Sequence, residues 1–578
     1  MVDLTKKPFY LDKTQIAWVE STISQMSIQQ KLQQLFFEMT KSADADYLEK
    51  AVKTQRFGGV RYNPMPAATV QKHNRILQEN SDIPLLIACN TEAGGNGAAI
   101  GGTEIGQQVK IGATNDVKYA YELGRVSGIE ASAVGCNCCF APIVDINRNW
   151  RNPIISVRSF SSDADTVLNM SKAYMRGFNE SGGVCIMKHF PGDGVDERDQ
   201  HLSSSVNSMT LAEWNSTFGK VYRGMIEAGV HGVMAGHIMF PAYTNLQGAQ
   251  MLPATLSQEL ITNLLRRELG FNGLVITDAS HMVGLTGAMK RSEILPTAIA
   301  AGCDMFLFTN DYDEDMQYML SGYERGIITD ERLNDALRRI LGLKVYLKLH
   351  NTPKDRIVPA EQQLNAVGCE QFQQIAAEVS DKAITLVKNL DGILPINPAK
   401  HKRVLLVPQQ SENPFAMYMP KRITPFEQLR DLLIKEGFEV TIYQSLMEQA
   451  KTLPPQEAAM KIMNVYGNKT PVKNITDNYD LIIQVAHVID HGTVQRINWA
   501  LSKGTPDIPW YVHEIPTIFV SLFCPFHLAD VPQVRTYINC YDKNLNTLSA
   551  LVDKLVGRST FKGVSPVDAF CGLPDTKL

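Results

Sequence analysis

Apolar runs of four to six residues alternate with longer amphipathic stretches through the first 350 residues. The runs at Leu35–Met39, Gly59–Tyr62, Leu85–Asn90, Phe140–Asp145, Val184–His189, Gly232–His237, Leu274–Asp278 and Met305–Thr309 read as buried strands. Between them lie segments such as SQELITNLLRRELG, whose apolar residues recur at helical spacing. This order predicts an α/β fold, a (β/α)8 TIM-like barrel. The polar residues point the same way. Asn90, Asp145, Lys188 with His189, His237 and Asp278 each close a different apolar run. In a barrel those C-terminal strand ends converge on one face, where active sites form.

Residues 351–370 lose this periodicity and carry two prolines, so they read as a linker between a 1–350 barrel domain and a 371–578 domain. The second domain opens on an amphipathic helix, FQQIAAEVSDKAITLVKN, followed by candidate strands at Val404–Pro408, Val440–Tyr443, Leu481–Val488 and Thr517–Phe523. With helical stretches between, the expectation is a smaller doubly wound α/β sandwich domain.

At 578 residues the chain exceeds one ordinary core, and 44% hydrophobic with 20% charged residues is the composition of a soluble globular protein. Fifty-six basic and 60 acidic residues give a net charge of −4, without a basic patch, which argues against nucleic acid or an anionic membrane as partner. The N-terminal stretch lacks the apolar core of a signal peptide and no run reaches transmembrane length, so a cytoplasmic setting is expected. Many of the ten cysteines fall inside apolar runs, as small hydrophobes do. Cys136, Cys138 and Cys139 lack a second ligand pair at zinc-site spacing, so no metal site is expected there.

The densest chemistry lies in KHFPGDGVDERDQH, residues 188–201. A solvated loop accounts for Asp196, Glu197 and Arg198, but not for Lys188 and His189, which continue an apolar strand. Asp199 and His201 are two residues apart and can face the same way, so the carboxylate can orient the imidazole and stabilise its charged form. Asp278 ends GLVITDAS, where it can act in the barrel mouth or cap the next helix. Arg158, in NPIISVRSF, can clamp hydroxyls or a carboxylate, or be a plain exposed arginine.

The loop resembles the K-H-F-P-G-H-G-x-x-x-x-D-S-H signature of the β-N-acetylglucosaminidase branch of family-three glycoside hydrolases. SIQQKLQQLFF, IPLLIACNTEAGG, APIVDINRNWRNPIISVRSF, VMAGHIMFP, LLRRELGFNGLVITDAS, AGCDMFLF and AITLVKNLDGILPI resemble the same family in order, over nearly the whole chain. The resemblance implies Asp278 as nucleophile, His201 as general acid/base with Asp199 as its partner, and Lys188, His189 and Arg158 as ligands of sugar hydroxyls. It implies retaining double displacement on terminal β-linked N-acetylhexosamine, N-acetylglucosamine first, from small saccharides or cell-wall-derived fragments, with no cofactor and no metal.

Three departures from the family pattern lie near the sugar site. Asn90 stands where an Asp is usual, with Glu92 as the compensating carboxylate. The loop EAGGNGAAIGGTEIG lacks the branch's arginine, and Asp193 replaces a histidine. These leave β-glucosidase or glycoside phosphorylase activity on the same fold as the nearest alternatives, and a non-catalytic sugar-binding protein as the more distant one. His237, closing its own strand, completes the candidate substrate-binding set.

Overall fold

The computed structural model describes residues 1–245, 251–410, 423–467, 471–489, 496–499 and 505–578. The chain forms two compact units, Met1–Gln108 with Asp116–Ile375, and Val109–Asn115 with Ala376–Leu578.

The first unit is a closed barrel of eight parallel strands: β1 (Phe36–Met39), β2 (Gly59–Arg61), β3 (Leu86–Cys89), β4 (Cys138–Cys139), β5 (Val184–Phe190), β6 (Gly232–Ala235), β7 (Leu274–Ala279) and β8 (Met305–Leu307). Strand β8 closes on β1 through Phe36 against Phe306 and Phe37 against Leu307. Strands β3 to β6 are buried at every position, because helices cover the outside and side chains fill the inside. That is why they read as unbroken apolar runs. Phe37 fills the interior so fully that a Cβ on Gly59 would lie 2.6 Å from its ring.

The fourth strand differs from the run expected at Phe140–Asp145. Its ladder occupies Cys138–Cys139, stops where Pro142 has no N–H to offer, and resumes as a single bridge between Ile143 and Lys188. Helix starts follow local chemistry, with reciprocal capping boxes at Asp12 with Gln15, Ser27 with Gln30 and Thr210 with Glu213. The helix Asp330–Tyr346 carries an anomaly. Lys344 is fully buried, and its one hydrogen-bond partner among the described residues is Gln34 Oε1 at 2.9 Å. Burial without a countercharge pushes this amine down to about 7.

Residues 351–370 hold short helical turns at Lys354–Ile357 and Glu361–Ala366 that pack on the first unit. Arg75 donates to the Pro359 carbonyl at 2.7 Å. Glu130, on the helix Val117–Ala133, accepts from the Gly368 amide at 3.0 Å and from the Thr103 amide and hydroxyl at 2.8 and 2.6 Å.

The second unit is built on a six-stranded sheet of β9 (Thr385–Asn389), β10 (Arg403–Gln410), β11 (Glu439–Ile442), β12 (Leu481–His487), β13 (Thr517–Ser521) and β14 (Thr536–Asn539). Its order is β9-β14-β13-β12-β10-β11, parallel except for the antiparallel edge strand β9. The helix expected through Asn389 ends at Ala383, and the β-branched and aliphatic run that follows pairs with β14 instead. Lys110, from the segment Val109–Asn115, is fully buried in this unit, with Nζ donating to Asp542 Oδ2 at 2.6 Å and to the Ser380 and Thr547 hydroxyls at 2.9 Å each. No helix among the described residues is long and apolar enough to cross a membrane.

Candidate active site

The C-terminal ends of the barrel strands bring together Glu92, Arg158, Lys188, His189 and Asp278. Lys188 and His189 lie within β5 itself, buried like the rest of that strand. The chain then turns through Pro191–Gly194, where Gly192 and Gly194 take φ of 121° and 98° and a Cβ on Gly194 would lie 2.2 Å from the Ile146 carbonyl oxygen. This tight turn folds the loop to 201 back over the barrel mouth.

Glu92 is the hub of the cationic side. Arg158 donates to both of its oxygens, Nε at 2.9 Å and Nη2 at 3.0 Å, and Lys188 Nζ lies 2.6 Å from Oε1. Burial opposes ionisation of Glu92, but the two cations outweigh it and hold its carboxyl far below the usual range. Burial likewise pushes the Lys188 amine down, with Glu92 offsetting part of the shift, whereas for Arg158 the pairing with Glu92 outweighs burial. Two cations against one anion leave the cluster net positive, with N–H donors remaining on both bases. Glu92 is thus committed to Arg158 and Lys188. Among the described residues, Asn90 Oδ1 is buried without a partner, as is Nε of Arg61 at the end of β2.

His189 is set by Asp145, fully buried, whose Oδ2 lies 2.7 Å from Nδ1 and whose Oδ1 accepts from the Asp193 amide at 2.8 Å. The opposite ring nitrogen of His189 lies 3.9 Å from Asp278 Oδ2. Asp278 Oδ1 accepts from the Ala279 amide at 2.7 Å. Burial pushes the Asp278 carboxyl up, but His189, His237, the Ala279 amide and Lys188 together hold it below its ordinary value. It is therefore an anion at neutral pH, partly dehydrated and within reach of the mouth.

Asp199 and His201 form a pair, with Nδ1 2.6 Å from Asp199 Oδ1 and the His201 amide donating to the same oxygen at 2.8 Å. The Asp199 side chain is buried and that of His201 is 49% exposed, with Nε2 on the side of the ring away from Asp199. The bond to Asp199 raises the imidazole above its ordinary value against an opposing burial effect, and Asp278 adds to the rise. His201 thus stands within electrostatic reach of Asp278.

His237 sits beneath this group rather than in it. Nε2 lies 3.0 Å from the Ala279 carbonyl, which only accepts, so this nitrogen carries the proton, while Nδ1 faces the Thr255 hydroxyl at 2.8 Å. Its ring steadies the end of β7 beside Asp278. Among the described residues no group of three or more His, Cys, Asp or Glu side chains is placed to hold a metal ion.

Two participants escape reading from sequence alone. Arg61 interrupts the run Gly59–Tyr62 one residue before its end, and that position was its signal. Gln200 carries none, since it lies inside the loop between Asp199 and His201 and its buried bonds, to Asp193 and to the His237 amide, follow no local period.

An Asp anion at a strand end, a buried cation cluster and an exposed imidazole oriented by a carboxylate together suit acid-assisted displacement at a polyhydroxylated substrate. Comparison with known proteins gives the family. Residues 27–343 match the glycosyl hydrolase family 3 N-terminal domain. A Cellulomonas fimi protein described as a β-N-acetylglucosaminidase/β-glucosidase is 41% identical over 586 residues, covering 100% of both chains. The structure of a β-glucoside phosphorylase superposes with a TM-score of 0.88 at 37% identity, covering 99% of each chain. That of a family 3 β-N-acetylglucosaminidase from Paenibacillus sp. str. FPU-7 gives 0.75 at 26% identity over 94% of this chain and 99% of the other. The chain belongs to glycosyl hydrolase family 3.

Proposed function

We propose that this protein removes terminal β-linked N-acetylhexosamine, N-acetylglucosamine first, by retaining double displacement. The observation that carries the reading is the Asp199–His201 pair, whose half-exposed imidazole lies within electrostatic reach of the Asp278 anion. His201 donates the Nε2 proton to the leaving glycosidic oxygen while an Asp278 oxygen bonds to the anomeric carbon. In the second step His201 takes a proton from the attacking water, and the sugar–Asp278 ester breaks. Lys188, His189 and Arg158 hold hydroxyls of the sugar through their remaining donors. The sugar assignment draws on the signature loop and on the names of the relatives. Nine of the ten cysteines are buried thiols, which supports a reducing, cytoplasmic setting, and the substrates proposed there are small saccharides or cell-wall-derived fragments.

A specific observation favours phosphate as an alternative to water. The acid/base is an imidazole, neutral once its proton has left, with its Asp199 carboxylate buried on the far side of the ring, so an approaching phosphate meets no exposed carboxylate there, and the Glu92 cluster is net positive. The similarity to a β-glucoside phosphorylase fits that arrangement. Appearance of a sugar 1-phosphate in phosphate buffer distinguishes this outcome from hydrolysis.

The test of the main reading is covalent trapping. A slow 5-fluoro N-acetylglucosaminyl fluoride, followed by intact mass and peptide mapping, is expected to leave its sugar on Asp278. An adduct on another carboxylate overturns the residue assignment, and initial release of the α-anomer overturns the retaining mechanism. A panel of nitrophenyl glycosides ranks N-acetylglucosaminide against glucoside, and a glucoside preference overturns the sugar assignment.

A further inference from the structure

The loop that carries the acid/base is held by a chain of buried hydrogen bonds. Gln200, between Asp199 and His201, turns its side chain inward and is 1% exposed. Its Oε1 accepts from the His237 amide at 2.9 Å. A backbone N–H can only donate, so the orientation of the Gln200 amide is fixed and its NH2 must point the other way. That NH2 meets Asp193 Oδ2 at 3.2 Å. The other Asp193 oxygen accepts from Asn152 Nδ2 at 2.9 Å and from the Gly194 amide at 2.6 Å. Asp193 is itself buried, and burial together with the nearby Asp145 charge pushes its carboxyl up to about 6. A carboxylate held in such surroundings owes its place to the donors around it.

The backbone of the same loop reaches the nucleophile's segment. The Gln200 carbonyl accepts from the Gly284 amide and the His201 carbonyl from the Val283 amide, both at 3.0 Å, at the start of the short helix that follows β7. A Cβ on Gly284 would lie 2.8 Å from the Gln200 carbonyl oxygen, so the two segments run in close contact. The position of His201 relative to Asp278 is therefore set from two sides, by backbone bonds to 283–284 and by the Gln200 side chain clamped between Asp193 and His237. Asp193 and Gln200 both differ from the family signature, which has His and Ser at these places, and they bond to each other.

We infer that Asp193 and Gln200 act as one latch, a pair of positioning residues that holds the Asp199–His201 dyad over Asp278 and so sets its power as acid/base. The inference rests on His201 being that acid/base. Freed from the latch, the loop keeps its own residues but populates the productive geometry less, and transition states that need proton donation suffer most.

The experiment compares the full-length chain with Gln200→Met, which keeps length and removes both side-chain bonds, and with Asp193→Asn, which keeps shape and turns an NH2 toward that of Gln200. Glycosylation is measured with a poor alkyl leaving group and with an activated dinitrophenyl one. The expected result is a loss of about 30-fold or more with the alkyl substrate, less than about threefold with the activated one, and an alkaline limb of kcat/KM displaced to lower pH as His201 loses Asp199. Equal losses with both leaving groups, or no loss with either, overturn the latch. If neither variant folds, hydrogen exchange of the unmodified protein decides the matter. The His237 amide, which donates to Gln200, must be protected at the level of the barrel core, and exchange at the rate of an open loop overturns the proposal. His201→Ala run alongside separates the two readings. If it shows no leaving-group dependence, the acid/base assignment fails, whereas His237 protection still reports on the clamp itself.

Discussion

Replacing Lys344 by methionine should stabilise the first unit at neutral and acidic pH. The amine is fully buried against Gln34 Oε1, and burial lowers it from 10.5 to about 7. At about 1.4 kcal/mol per pH unit, that displacement corresponds to about 5 kcal/mol of lost stability below about pH 7, where the amine is charged in both the native and unfolded chains. Between the native and unfolded values the unfolded chain holds a proton that the native one has shed, so stability rises with pH, and the loss is gone above the unfolded value. At about pH 8 some 3 kcal/mol of it remains. Methionine matches the flexible stem but leaves Gln34 Oε1 without its donor, at about 1 kcal/mol. The net gain is therefore about 2 kcal/mol at about pH 8, roughly 4 at about pH 6, and close to nothing near pH 10. Scanning calorimetry of the full chain and the variant, resolved into the transitions of the two units, measures the gap, since a single two-state fit does not apply to a chain of this kind. A gap of zero at acidic pH, or one that widens from about pH 7 to 10, refutes the reasoning.

Two further outcomes are expected. Asp199→Asn removes the carboxylate that raises His201, so the alkaline limb of kcat/KM with a poor leaving group should move down toward the ordinary histidine value of about 6.5. Activity above neutrality then falls more than activity near pH 5, and an unmoved limb counts against the dyad. Single replacements of carboxylates in the second unit, Asp542 excepted because it holds Lys110, should leave kcat/KM within about tenfold of the parent. A folded variant down by about a thousandfold would show that this unit supplies a catalytic group.

Much of the barrel was legible because its strands are buried on both faces, so burial alone writes itself as uninterrupted apolar runs, and any charged residue closing such a run stands out. Asp278, Lys188 and His189 are visible for that reason. Burial does not reveal who pairs with whom. ITLVKN continues the apolar spacing of the preceding helix, and only its antiparallel partner at Thr536–Asn539 makes it a strand. The β4 ladder stops after Cys139, ahead of Pro142, whose missing donor matters only once the neighbouring strands are known. The signature loop marks Asp199 and His201, yet Glu92 gathers Arg158 and Lys188 from far along the chain, a relation without local period. His237 closes its run as the others do, and its ring is turned to Thr255 and the Ala279 carbonyl.

The short segment Val109–Asn115 bears on how such a chain can be inherited and recombined. Its Lys110 completes a buried polar cluster with Ser380, Asp542 and Thr547, and its Ala113 carbonyl accepts from the Val564 amide at 2.9 Å. A cut after residue 375 respects the order of the gene but not the membership of the folded units. The upstream product would keep a lysine built for burial with its anion gone, and the downstream product an aspartate with its cation gone, each a costly orphan. Exchange of the second unit between relatives at that single junction would pair Lys110 with a foreign pocket. The two parts of the gene are thus bound to change together, although a reader of the sequence sees them as beads on a string.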